Sequence, residues 1–167
     1  MNNFSGSEFD LYEPMRAWLD SHLHDKYRGQ QCMITTLDTH AYYLDSVLEK
    51  NGVLDRYPQT VGLKIQIDVL GIVKWENDAK IFFIEAKKTQ LNLHDLGQLW
   101  AYCKLCDPEE AYLLSPISLG SLESLFRNLK REDILDFGDK THVKKMQIGV
   151  WDVDGGFINQ NSLVPKI

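Results

Sequence analysis

The chain has 167 residues, 44% hydrophobic and 25% charged, which predicts a folded domain with a substantial core and excludes a largely disordered protein. Its formal net charge of −6 argues against a general nucleic-acid-coating protein, because such proteins are usually basic. It does not exclude a nuclease, since metal-binding carboxylates themselves add negative charge. The three cysteines, Cys32, Cys103 and Cys106, form no regular framework and are expected to be core thiols rather than disulfides.

The first fourteen residues are polar and acidic and lack the basic and apolar regions of a signal peptide. No apolar run approaches the 18 residues that a membrane-spanning helix needs. We therefore expect a cytoplasmic protein that has no membrane partner.

In the first half of the chain, apolar residues at helical spacing predict a helix over residues 11–24. Asp10 and Glu13 resemble a capping box at its start. A short strand is predicted over residues 32–36 and a second helix over residues 41–50.

The second half opens with two segments rich in β-branched and aromatic residues, which predict strands. The predicted elements are strands over residues 64–75 and 80–88, a helix over 92–106, a strand over 111–115, a helix over 121–129, a strand over 146–153 and a final hairpin at Gly155–Gly156. This order predicts an α/β (α+β) fold with a mixed central sheet flanked by helices. We expect one domain over residues 1–167, with a core from about 8 to 115 and a C-terminal extension from about 116 to 167.

The two central strands carry the residues with the most chemical interest. Side chains alternate between the faces of a strand, so Glu85 and Lys87 share one face. If the hairpin turn is centred between Glu76 and Asn77, opposed residues have numbers that sum to 153, and Asp68 faces Glu85. A register slip of one residue would instead place Asp68 on the opposite face.

Directly opposed residues on a sheet have Cβ atoms about 4.5–5.5 Å apart. Two carboxylates at that separation repel each other unless a cation neutralises them. Mg²⁺ typically uses one or two carboxylates together with waters and phosphate. The pair Asp68 and Glu85 is therefore a candidate metal site, with Lys87 beside it to assist an attacking water or to stabilise negative charge.

An acid near the end of one strand, followed by Glu85-Ala86-Lys87 on the next strand and then a helix, resembles the PD-(D/E)xK nuclease superfamily, which has the restriction-endonuclease-like fold. Ile67 replaces the proline that usually precedes the first acid. Gln98 and Tyr102 resemble the Q-x-x-x-Y motif of the RecB-like branch, and their spacing of four places them on one helix face.

The resemblance implies hydrolysis of phosphodiester bonds in DNA with Mg²⁺, for which Mn²⁺ is a substitute. The implied metal ligands are Asp68, Glu85, the carbonyl group of Ala86 and an acid on the first helix, for which Glu13 is the candidate and Glu8 the alternative. The implied catalytic residues are Asp68, Glu85, Lys87, Gln98 and Tyr102.

Two other functions stay open from the sequence. One is a catalytically silent DNA-binding or regulatory subunit of a restriction, defence or recombination system, and the other is a protein-interaction domain. A homodimer or a larger partner subunit is expected if both strands of a duplex are cut. Sequence recognition is expected in residues 29–62 or 127–145, where basic residues cluster in the second range.

Overall fold

The computed structural model describes residues 3–166. Its helices are α1 (Phe9–Lys26), α2 (Leu44–Lys50), α3 (Leu93–Cys106) and α4 (Leu122–Arg127). Its strands are β1 (Met33–Asp38), β2 (Val69–Lys74), β3 (Ala79–Ala86), β4 (Glu110–Ser115), β5 (Asp136–Gly138), β6 (Val143–Lys145), β7 (Gln147–Asp152) and β8 (Phe157–Ile158).

Six of these strands form one mixed sheet in the order β1-β2-β3-β4-β7-β8. The first three pair antiparallel, β4 lies parallel to both β3 and β7, and β8 returns antiparallel to β7. Strands β5 and β6 form a separate two-stranded hairpin. The carboxyl ends of β3, β4 and β7 therefore lie at the same end of the sheet, and the start of β2 lies at that end too.

Helices cover both faces of this sheet. On one face, α1 contributes Leu11, Met15, Leu19 and Leu23 to a core with alternate residues of β3. On the other face, α2, α3 and α4 pack on the intervening residues of β3. Because β3 is buried on both faces, it reads in the sequence as an almost continuous apolar run.

The predicted mixed sheet with flanking helices is confirmed, but the predicted first half of the hairpin is too long. Strand β2 begins at Val69 rather than near residue 64. Lys64 has a φ of +54°, which breaks the extended backbone. The backbone N–H of Leu44 donates to the carbonyl of Ile65 at 2.8 Å, so this segment is held on α2 rather than on a neighbouring strand.

One other local prediction was wrong, and one element of the fold was not predicted. Helix α1 has Glu8 at its N-terminal cap with no side-chain capping bond, so the predicted Asp10–Glu13 capping box does not form. Asp10 instead accepts a hydrogen bond from the backbone of Ser7 at 2.8 Å. The β5–β6 hairpin was not predicted, because its strands have only three residues each and carry little periodic signal.

Within residues 3–166, no helix is long and apolar enough to cross a membrane.

Candidate active site

The pairing of β2 with β3 brings Asp68 and Glu85 together. The observed partners, such as Val69 with Ile84, have numbers that sum to 153, so the predicted register is confirmed. One step beyond the paired strands, the backbone N–H of Asp68 donates to Glu85 Oε1 at 3.2 Å. The backbone N–H of Ala86 donates to Asp68 Oδ2 at 2.9 Å. Each carboxylate is thus fixed by the backbone beside the other.

Both carboxylates lie in an environment that opposes their ionisation. Glu85 is only 5% exposed, and burial raises the pKa of its carboxyl well above the usual value, with the Asp68 charge adding to that rise and Lys87 partly offsetting it. Burial also raises the pKa of Asp68, although the hydrogen bond from the Ala86 N–H opposes the rise. A folded chain tolerates such a pair best when a cation lies between them.

Lys87 follows directly on the last residue of β3. Its backbone N–H donates to the carbonyl of Leu114 at 2.9 Å, which extends the β3–β4 pairing by one residue. The alternation of side chains between the two faces of β3 therefore continues to Lys87. Its side chain is therefore on the same face as that of Glu85. Lys87 lowers the pKa of both Asp68 and Glu85, yet no ion pair within 4.0 Å joins it to either one in the described part of the chain.

Helix α1 adds a third acid to this group, and it is Glu8 rather than Glu13. Glu8 Oε2 accepts the backbone N–H of Lys88 at 3.3 Å, and Glu8 Oε1 accepts the Tyr12 hydroxyl at 3.3 Å. The hydrogen bond from Lys88 brings Glu8 next to the end of β3, and the charge of Glu8 raises the pKa of Asp68. Glu13 lies away from them and forms a bidentate pair with Arg16.

Gln98 and Tyr102 contact each other as their spacing predicts. The Gln98 side-chain amide donates to the Tyr102 hydroxyl at 3.2 Å on the outer part of α3. Gln98 is exposed, whereas Tyr102 packs partly against the core. No hydrogen bond in the described residues connects either of them to Asp68, Glu85 or Lys87.

Tyr12 is a site residue that the sequence analysis missed. It is 5% exposed, and burial together with the charges of Asp68 and Glu8 raises its pKa. The signal that identifies it is its spacing of four from Glu8, which places both residues on one face of α1. The ring of His40 stacks on Tyr12 with centroids 4.8 Å apart.

Most basic residues of the range 127–145 are paired with acids. Four of its six Lys and Arg side chains form ion pairs: Arg127 with Glu123, Arg131 with Asp133, Lys144 with Asp107, and Lys145 with Asp136. Among residues 3–166, Lys130 and Lys140 of that range form no ion pair, and neither do Lys87 and Lys88. Unpaired cations therefore lie both beside the carboxylates and in the extension.

The donor set fits a hard divalent cation with few protein ligands. The side chains of Asp68 and Glu85 lie close enough to share a hydrogen bond when one of them is protonated, and carboxylate oxygens are the ligands that Mg²⁺ prefers. Among residues 3–166, no three side chains of His, Cys, Asp or Glu form a complete metal-binding group. The ready ligands are therefore the two carboxylates, and Glu8 would join them only by giving up a present hydrogen bond.

Comparison of the chain with models of known protein families gives no match, and no curated protein matches it either. The functional conclusion therefore depends on the geometry and chemistry of the site.

Proposed function

We propose that the protein is a metal-dependent nuclease that hydrolyses phosphodiester bonds in DNA. The observation that supports this most directly is the buried pair Asp68 and Glu85 at the ends of two neighbouring strands, with Lys87 on the same face. The order of elements also supports the proposal. A helix and an edge strand precede a central hairpin, and a helix and a parallel strand follow it. This is the order expected of the restriction-endonuclease-like fold.

In this proposal, Asp68, Glu85 and the carbonyl oxygen of Ala86 hold Mg²⁺, with Glu8 as the helix-borne acid in place of Glu13. A bound Mg²⁺ would lower the pKa of a coordinated water and neutralise charge on the phosphate. Mn²⁺ is expected to substitute for it.

The chain itself contributes orientation and charge. The backbone N–H groups of Asp68 and Ala86 each donate to one carboxylate oxygen of the pair, which restricts the rotation of both side chains. Lys87 positions the attacking water by hydrogen bonding and stabilises the negative charge that develops on the phosphoryl oxygens. Attack in line with the P–O3′ bond then leaves a 5′-phosphate and a 3′-hydroxyl.

The test compares wild type with Lys87→Ala and Lys88→Ala on supercoiled, linear duplex and single-stranded DNA in Mg²⁺. Lys88 is the matched control, because it is the adjacent lysine and is exposed. We expect the first variant to lose cleavage at least a hundred-fold and the second to keep most of it. DNA binding without cleavage by the wild type in either Mg²⁺ or Mn²⁺ would contradict the proposal and favour a silent DNA-binding subunit.

A further inference from the structure

Three aromatic rings pack together beside the candidate metal ligands. The His40 ring stacks on Tyr12 with centroids 4.8 Å apart, whereas Phe9 meets both rings at an angle, with its centroid 5.0 Å from that of His40 and 5.8 Å from that of Tyr12. Asp38 fixes the imidazole through Nδ1 at 2.5 Å. We call Phe9, His40 and Tyr12 the ring cluster.

One member of the ring cluster is open to solvent. Phe9 is 63% exposed although it is a large apolar side chain, whereas Tyr12 is 5% exposed. The segment that carries His40 continues with two more exposed rings, Tyr42 at 57% and Tyr43 at 45%. A group of rigid, exposed rings at one place marks a binding surface more often than scattered apolar residues do.

The ring cluster is tied to the candidate site by several direct contacts. Phe9 follows Glu8 in the chain, and Tyr12 donates its hydroxyl to Glu8. Thr39, which precedes His40, donates its backbone N–H to the carbonyl of Asp68 at 3.0 Å. The ring cluster therefore lies next to the segments that carry the candidate metal ligands.

Charge near the ring cluster fits a phosphate-linked ligand. The backbone N–H of Lys88 donates to Glu8 Oε2, which brings the segment that carries Lys87 next to the acid that precedes Phe9. Lys87 forms no ion pair in the described part of the chain. An unpaired cation beside an exposed ring that can take a base face is a combination by which proteins bind single strands without reading sequence.

We infer that the ring cluster, through the exposed ring of Phe9, is a binding site for an unpaired nucleobase next to the bond that is cut. The substrate class is then single-stranded nucleic acid or a strand with unpaired bases. The inference rests on the proposed function for the position of the cut, but the base contact itself needs no metal. A base inside a duplex cannot offer its face to Phe9, because both of its faces are already stacked.

The experiment measures affinity in EDTA, by fluorescence anisotropy, for a labelled twelve-residue oligothymidylate, for an abasic strand of the same length and for a hairpin duplex. Wild type is compared with Phe9→Ala and with Phe9→Leu, which keeps an apolar side chain but removes the aromatic face. Phe157→Ala is the matched control, since Phe157 is also exposed, at 48%, but lies on the β8 edge of the sheet.

We expect both Phe9 variants to weaken oligothymidylate binding by about five- to one hundred-fold. They should leave the abasic strand and the duplex within two-fold of wild type, and Phe157→Ala should change nothing. Equal losses on the abasic strand, or no loss on oligothymidylate, would overturn the inference. An RNA strand of the same length shows whether the site accepts both sugars, because stacking alone predicts similar ring dependence.

The two proposals fail separately in this design. Ring-dependent binding in EDTA together with no cleavage in Mg²⁺ would contradict the nuclease proposal and support the base-binding site. Cleavage of single strands that needs Lys87 but is unchanged by Phe9→Ala would support the nuclease proposal and contradict the base-binding site.

Discussion

Asp68 and Glu85 each hold the other in place through the backbone rather than through a cation of the chain. The N–H of Asp68 binds the Glu85 carboxylate, and the Asp68 carboxylate binds the N–H of Ala86, the residue after Glu85. Two carboxyl groups are therefore kept adjacent at the end of the sheet, in an environment that raises the pKa of both. We expect this arrangement to lower the stability of the metal-free fold when both groups are ionised and to favour the binding of a cation.

The first prediction is that Asp68→Asn and Glu85→Gln each stabilise the metal-free protein. Either amide keeps an oxygen for its backbone N–H bond but removes one of two repelling charges. We expect a gain of about 1 kcal/mol in the free energy of unfolding, which for a chain of this size raises Tm by about 2–4 °C. Thermal unfolding in EDTA at pH 8 measures it.

The same variants should respond less to divalent cations. We expect millimolar MgCl₂ or MnCl₂ to raise the Tm of the wild type, because a ligand that binds only the folded state stabilises it. The rise should be absent in Asp68→Asn and in Glu85→Gln. A Tm of the wild type that does not change in either salt would contradict the proposed metal site.

The second prediction separates the two acids of α1. Glu8→Gln should weaken Mn²⁺ binding, because Glu8 lies close enough to Asp68 to raise its pKa. Glu13→Gln is the matched control on the same helix, since its side chain is 70% exposed and paired with Arg16. Isothermal titration with MnCl₂ measures both variants. An equal loss of affinity in the two would assign the effect to overall charge rather than to a ligand.

The register of the central hairpin was predictable because a short turn determines it. Trp75 N–H donates to the carbonyl of Asp78 at 2.8 Å, so two residues, Glu76 and Asn77, form the turn. Once the turn is fixed, the alternation of side chains places Asp68 opposite Glu85 without further information. The proximity of Asp68 and Glu85 therefore followed from local sequence.

The choice between Glu8 and Glu13 could not be made from the sequence. The two residues are five apart on α1, so they lie on different faces, and the docking of the helix on the sheet decides which face meets the site. That docking depends on packing between distant segments, for example of Leu19 and Leu23 of α1 on β2. The ring contact of Phe9 with His40 was hidden for the same reason.

The third prediction concerns that docking. Gly71 of β2 lies under α1, and a Cβ atom there would be 2.9 Å from Leu23 Cδ1 and 3.1 Å from Leu19 Cδ2. We expect Gly71→Ala to lower the free energy of unfolding by about 1–3 kcal/mol, because the core must move to admit the methyl group. Urea denaturation measures the loss.

Gly97 provides the opposite control within α3. A Cβ atom at this position meets no atom within 4 Å. Gly97→Ala should therefore raise the free energy of unfolding by about 0.5–1 kcal/mol, since alanine favours the helix over the unfolded chain. Destabilisation by both substitutions would show that the close approach of α1 to β2 is not the cause at Gly71.

The last prediction concerns a group of ion pairs at the other end of the strands from the candidate site. Glu110, at the start of β4, accepts hydrogen bonds from His22 Nε2 at 2.9 Å and from Lys26 Nζ at 2.6 Å. Burial alone would raise the pKa of Glu110, but these two partners outweigh it and lower the pKa to about 2. The folded state therefore releases the Glu110 proton more readily than the unfolded state does.

Because this pKa is lowered on folding, the stabilisation is complete above about pH 4.5 and is lost as the pH falls towards 2. We expect Glu110→Gln to cost about 2 kcal/mol of unfolding free energy at pH 6, a figure reduced for the partial exposure of Lys26, and almost nothing near pH 2. Urea denaturation at pH 6, 4 and 3 tests this, with Glu76→Gln in the exposed hairpin turn as the control. A loss of stability in Glu110→Gln that is the same at all three pH values would show that the amide disturbs packing and that the ion pairs contribute little.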